Sequence, residues 1–251
     1  MLDLIRHDSL LELHMALPPV NALGPPLVRR LREAVETASA QGASAIALSG
    51  SPGMFSAGLD VPALLQLDRD AMRVFWNDFF GLCGAIARSP IPIAAAITGH
   101  SPAGGAVLAI MSDYRVMARG AFKIGLNEVQ VGLSVPAPIQ AALRRLIGAY
   151  RAERLLVSGA MIDPDQALAL GLVDELIEPD LVVARTLAWL GDLVKLPPHS
   201  MHATRHLARA DLANVFAEPD KLPVEDFLDS WFAPEAQSVL KALVARLKSK
   251  S

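Results

Sequence analysis

The stretch IGLNEVQVGL, residues 124–133, carries one carboxylate, Glu128, among apolar residues and glycines, with no basic residue inside it. A buried ionised carboxylate is costly unless it is paired, so chains avoid it or neutralise it. Two readings follow. Either the stretch is a surface loop and Glu128 faces water, or Glu128 is a general base that apolar surroundings hold protonated to a higher pH than usual.

Two glycine-bearing turns offer a partner for such a base. FSAGLD (55–60) and PAGG (102–105) each follow an apolar run that reads as a buried strand, and each precedes a helical pattern. Free N–H groups at a helix N-terminus point outward and carry partial positive charge. Two such turns on adjacent strands could aim two N–H groups at one oxygen, an oxyanion hole in which each donor contributes roughly 3 kcal/mol. Spacing alone is equally met by ordinary strand-to-helix turns.

Other constellations are weaker. TGHSPAGG (98–105) comes within one residue of the Gly-x-Ser-x-Gly nucleophile elbow. With Ser101 as nucleophile, Asp163 or Asp174 and then His199, His202 or His206 would complete a hydrolase triad, yet none sits in a distinctive context. His202 and His206 are spaced for zinc, but Ala203 stands where a metalloprotease needs Glu. The glycine loops fit neither a dinucleotide fingerprint nor a P-loop.

The bulk properties narrow the field. The chain has 251 residues, is 52% hydrophobic and 20% charged, and carries a net charge of −3. A sizeable core is expected and disorder is not. Nucleic-acid binding has no basic footprint. Cys83 is the single cysteine, so neither an internal disulfide nor a cysteine-based zinc site can form. No uninterrupted apolar run reaches about 18 residues, the length of a membrane span. The N-terminus lacks the layout of a signal or transit peptide, and the C-terminus does not read Ser-Lys-Leu. The expected location is cytoplasmic, and the basic end ARLKSKS is expected to be a solvated helix end.

Positioning elements can be read from periodicity. Residues 10–16 predict a strand, 27–40 a helix, and 43–50 a buried strand. Residues 69–88 predict a long amphipathic helix, and 91–99 a second buried strand. YRVMA (114–118) and AFKIG (121–125) predict short strands, followed by three short helices and a last strand in LVDELI. Alternation of strand, loop and helix predicts the α/β class with a parallel sheet. The core is expected over 1–180 and a helical region over 181–251. No internal sequence repeat is visible.

PPVNAL (18–23), FSAGLD, SPAGGAVLAIMSDYRVMA (101–118) and GLVDELIEP (171–179) together resemble the crotonase, or enoyl-CoA hydratase/isomerase, superfamily. The resemblance implies a spiral of ββα units capped by C-terminal helices that also build trimers or hexamers. It implies an acyl-CoA thioester as substrate, with coenzyme A part of that substrate and no separate cofactor or metal. The oxyanion-hole donors are implied to be Leu59 and Gly104. Ser56, Ala57, Gly58, Asp60 and Asn127 are implied to lie against the substrate. Asn127 has two roles open to it, orienting Glu128 or tying down its loop.

Hydratases of the superfamily use two glutamates. The first falls here at Val107, which has no proton to exchange, and the second loop is similar to that of the mitochondrial-type Δ3,Δ2-enoyl-CoA isomerases, whose sole catalytic glutamate corresponds to Glu128. Trp76, Phe79 and Phe80 are candidates either for the acyl pocket or for core packing. Lys123 and the arginines are the candidates for the CoA phosphates, and the sequence does not place them.

Overall fold

The computed structural model describes residues 1–248; the last three residues of ARLKSKS lie outside it. Among the described residues nine strands run in chain order: β1 Leu2–His7, β2 Leu10–Met15, β3 Ala45–Ser49, β4 Gly53–Met54, β5 Ile93–Ile97, β6 Gly99–Pro102, β7 Tyr114–Ala118, β8 Ile124–Gly125 and β9 Glu175–Ile177. The helices of the first half are α1 Pro25–Ala38, α2 Val61–Leu64, α3 Arg69–Arg88 and α4 Gly104–Met111. Those of the second half are α5 Ala137–Ile147, α6 Ala149–Ser158, α7 Pro164–Leu170, α8 Val182–Leu193, α9 Pro198–Ala208, α10 Ala210–Val215, α11 Val224–Phe232 and α12 Pro234–Lys248.

Six strands form one sheet in the order β1-β2-β3-β5-β7-β9, and three form a second in the order β4-β6-β8. Among the strand-to-strand pairs of the described residues, β1 with β2 is antiparallel and the others are parallel. The long strands β3, β5 and β7 sit in the large sheet, and the short strand after each joins the small one. This is a parallel spiral of ββα units with a C-terminal helical region. Its repeat is structural and leaves no trace in the sequence.

Strand side chains alternate between two buried faces, as a covered parallel sheet requires. Ile93, Ala95 and Ile97 enter the main core with Ile46 and Leu48. Ala45, Ala47 and Ala94 face the other way and meet Leu190 of α8. Small residues there let α8 lie close to the sheet, so the first helix beyond residue 180 is a layer of the sheet itself. The helices after it run on to α11 and α12, which reach the cavity described below.

Helix α3 starts where Asp68 accepts the Ala71 N–H at 2.8 Å, an N-cap that satisfies one free donor. The α7 start is a full capping box between Asp163 and Gln166. Strand β1, not expected from the sequence, forms a hairpin with β2 at the sheet edge, where Leu4 and Ile5 stay exposed. The AFKIG strand shrinks to Ile124–Gly125. Among the described residues no helix is long and apolar enough to cross a membrane.

Candidate active site

The turns 55–60 and 102–105 meet because β4 and β6 are paired, Gly53 with Gly99 and Met54 with His100. Strand β8 lies on the other side of β6, Pro102 beside Gly125, and delivers the 3₁₀ turn Glu128–Val131. Three adjacent short strands thus bring both glycine turns and Glu128 to one place. A cavity of about 600 Å³ opens there, bordered by Ala57, Leu59, Asp60, Ala103, Asn127 and Glu128. Segment Leu17–Val20 and two C-terminal residues, Trp231 and Leu243, complete its apolar wall.

The first turn is stitched to the segment before α1. The Ala57 N–H donates to Val20 O at 2.9 Å, and the Asp60 N–H to Leu23 O at 3.3 Å. The Gly58 N–H donates to Ser56 Oγ at 3.2 Å. No described residue accepts the N–H of Leu59, which borders the cavity.

In the second turn Ala103 takes φ 45° and ψ −118°, an unusual conformation for a residue with a side chain. The Gly104 N–H then opens α4, ahead of the first intrahelical bond, which Val107 donates to Ala103 O at 3.0 Å. Gly104 itself is buried behind Ala103.

Glu12 and Glu128 are both withdrawn from water and differ in what they meet. Glu12, 5% exposed, accepts from Ser49 Oγ at 2.5 Å and lies 2.8 Å from His7 Nε2. It is fully partnered and belongs to the sheet. Glu128 is half-buried, and its Oε2 is shut off from solvent with no partner among the described residues. Burial pushes its carboxyl from the ordinary 4.5 up to about 7, against a smaller pull from its own backbone N–H. The other cavity carboxylate, Asp60, caps α2 by accepting from the Ala63 N–H at 3.1 Å.

The remaining nominated residues separate clearly. Ser56 is fully buried behind the cavity wall, and Gly58 supports that wall. Ser101 is also buried, and its hydroxyl meets no imidazole. Asp163 is spent as a cap, and Asp174 pairs with Arg115 at 2.7 Å, so the hydrolase triad is not assembled. Among the described residues no group of His, Cys, Asp and Glu could hold a metal.

Trp76, Phe79 and Phe80 are core rather than pocket. Trp76 packs on Phe227 of α11 at 3.8 Å between ring centroids. Among the described residues the aromatic at the cavity is Trp231, one turn further along α11, which no local pattern in the chain places. Val107 lies inside α4, 1% exposed among apolar neighbours. A second hollow of about 500 Å³ lies between α8 and α9, but its charged groups, Asp113 and Arg205, bind each other at 2.8 Å.

A parallel ββα spiral with a carboxylate and two glycine turns at one cavity defines an enzyme of the crotonase superfamily. The family model described as enoyl-CoA hydratase/isomerase matches residues 6–229, and the chain belongs to that family. It is 30% identical over 238 residues to the human "enoyl-CoA delta isomerase 1, mitochondrial", covering 93% of this chain and 78% of the relative. It is 34% identical over 215 residues to a "probable enoyl-CoA hydratase" of Mycobacterium avium, covering 85% and 82%. The crystal structure of human mitochondrial Δ3-Δ2-enoyl-CoA isomerase superposes on all of this chain with a TM-score of 0.93, at 26% identity and 99% coverage of that structure.

Proposed function

We propose that this chain is an isomerase that moves the double bond of a 3-enoyl-CoA thioester to the trans-2 position. Ionised Glu128 removes a proton from C2. The electron pair of that C–H bond delocalises through C1 onto the thioester oxygen, giving a dienolate. The Leu59 and Gly104 N–H groups receive the developing charge. Protonated Glu128 then returns the proton to C4 as the C2–C3 double bond forms and the oxygen gives back its charge. One carboxylate serves both steps, because C2 and C4 lie within reach of the same oxygen atoms. Coenzyme A enters and leaves as part of the substrate, and no other cofactor is needed.

The observation that carries this reading is the state of Glu128. It is a cavity carboxylate whose buried Oε2 has no partner among the described residues and whose pKa burial raises to about 7, whereas Asp60 is committed to a helix cap. A base works best when its pKa lies near the operating pH. An acyl chain filling this apolar cavity would displace the water that hydration consumes. Hydration is the competing reading, since a relative named as a probable hydratase matches 85% of the chain at 34% identity. Apolar Val107 at the position of the other hydratase glutamate speaks against it.

The deciding experiment offers purified protein 3-hexenoyl-CoA and crotonyl-CoA side by side, with Glu128→Gln as control. Conversion of the first without hydration of the second supports isomerisation. Hydration of crotonyl-CoA at a comparable rate would refute it. Sedimentation would test the trimer or hexamer that the resemblance implies.

A further inference from the structure

We propose that Ser56 is a positioning residue, whose buried hydroxyl fixes the 56–60 turn so that the Leu59 N–H faces the substrate oxygen. The inference rests on the proposed function above and assigns a role to a side chain that does not reach the cavity. Ser56 is 0% exposed. Its hydroxyl donates to the backbone carbonyl of Asn21 at 2.7 Å and accepts from the Gly58 N–H at 3.2 Å. One oxygen therefore ties the turn to the neighbouring segment and sets the direction of the Gly58 peptide nitrogen.

The other end of Gly58 is held by that same segment. Its carbonyl accepts the Leu23 N–H at 2.8 Å. A trans peptide is planar, with C=O and N–H on opposite sides. When the Gly58 carbonyl turns toward Leu23, the Leu59 N–H must turn away from it. That is the N–H without a protein acceptor, on a residue that borders the cavity.

Asn21 stiffens the anchor in turn. It takes φ 52°, and its side-chain amide donates to the carbonyls of Met54 and Phe55, both at 3.2 Å. Its Oδ1 accepts the Leu17 N–H at 2.8 Å. Ser56 is the side chain that links the Asn21 carbonyl to the Gly58 N–H. Without its hydroxyl, the Asn21 carbonyl and the Gly58 N–H both lose a buried partner, and the Gly58 peptide can rock.

The test compares Ser56→Ala with the wild type in two assays. In the first, kcat on 3-hexenoyl-CoA is expected to fall about 10- to 100-fold, the effect of displacing a group that touches the reacting atoms. KM should move by less than about twofold, as when an interaction made only in the transition state is lost. The second uses acetoacetyl-CoA, whose bound enolate is read by ultraviolet absorbance. The enolate fraction should drop in Ser56→Ala while affinity for butyryl-CoA stays put, a split that general loosening would not produce.

A folded variant with wild-type kcat and enolate band overturns the inference. So does a variant that loses both ligands in parallel. Should Ser56→Ala not fold, Ser56→Cys, which keeps a weaker hydrogen-bonding group in nearly the same space, is judged by the same two criteria. A wild type that builds no enolate band overturns the proposed function and this inference with it. A wild type that builds one, matched by the variant, overturns this inference alone.

Discussion

A Cβ placed on Gly58 would stand 3.0 Å from the Cβ of Ala103 and 3.1 Å from the Gly104 nitrogen. The two glycine turns are therefore in contact, and the contact leaves no room for a methyl group. Gly58 also has φ +84°, where a side chain is strained whatever the space. Gly58→Ala is expected to cost about 3 kcal/mol of stability, from backbone strain and overpacking together. Activity should fall further than stability explains, because the turns must separate. Urea unfolding and turnover of 3-hexenoyl-CoA check both; an unaffected turnover would mean the contact has no bearing on the chemistry.

On the other side of that contact, Ala103 holds φ 45° and ψ −118°, a conformation that costs a residue with a Cβ and is easy for glycine. Ala103→Gly relieves that strain but frees the unfolded chain, so the two effects partly cancel. The expected net gain is about 0.5–1 kcal/mol, or a rise in Tm of roughly 2 °C. Calorimetry decides it. A lower Tm would show that the Ala103 methyl contributes more by packing than its backbone costs.

Trp231 joins the core to the cavity. It is fully buried, borders the open volume, and shares α11 with Phe227, which rests on Trp76. Replacing it with Phe shortens the wall without removing it. The expected outcome is a stability loss of about 1–3 kcal/mol, below that of a full truncation to Ala. The ratio of kcat/KM for decenoyl-CoA over hexenoyl-CoA should rise as the volume grows. An unchanged ratio would place the acyl tail elsewhere in the cavity.

Local patterns in the chain were informative where physics is local. The α3 boundaries follow from Asp68 as cap and an apolar face repeating through Met72, Phe75, Phe79 and Ile86. Strands β3 and β5 follow from short apolar runs closed by turn residues. The edge strand β1 was not legible, because Leu4 and Ile5 face solvent and break the alternation that marks a half-buried strand. The small sheet was equally hidden, since two-residue strands carry no periodicity. Glu128 stood out because a charge among apolar residues and glycines needs a reason. Ser56 was reached only through the resemblance, as a residue against the substrate, and Asn21 was given no role, since their work is done by hydrogen bonds between segments 35 residues apart in the chain. Trp231 reaches the cavity only through the packing of the C-terminal helices, and a surplus of core aromatics made Trp76 look equally eligible.

Glu128→Gln separates chemistry from folding. Loss of a positioned acid–base group should lower kcat by about 10²–10⁴ while leaving acyl-CoA binding in place. In the wild type, kcat/KM should rise with pH through about 7 and level off above it, because the base must be ionised in the free enzyme. Stability should run the opposite way. The folded protein holds the Glu128 proton up to about pH 7, while the unfolded chain releases it near 4.5. Between those limits the native state binds more protons, so stability falls as pH rises, by about 3 kcal/mol in all. Glutamine has no charge to bury and escapes that penalty. Glu128→Gln should therefore match the wild type near pH 4.5 and exceed it by a margin that grows until about pH 7 and then stays constant. Urea unfolding at pH 5 and pH 8 reads the margin. A variant no more stable than the wild type at pH 8 would mean that Glu128 is not held protonated by burial, and the case for it as a base poised near neutrality would fail.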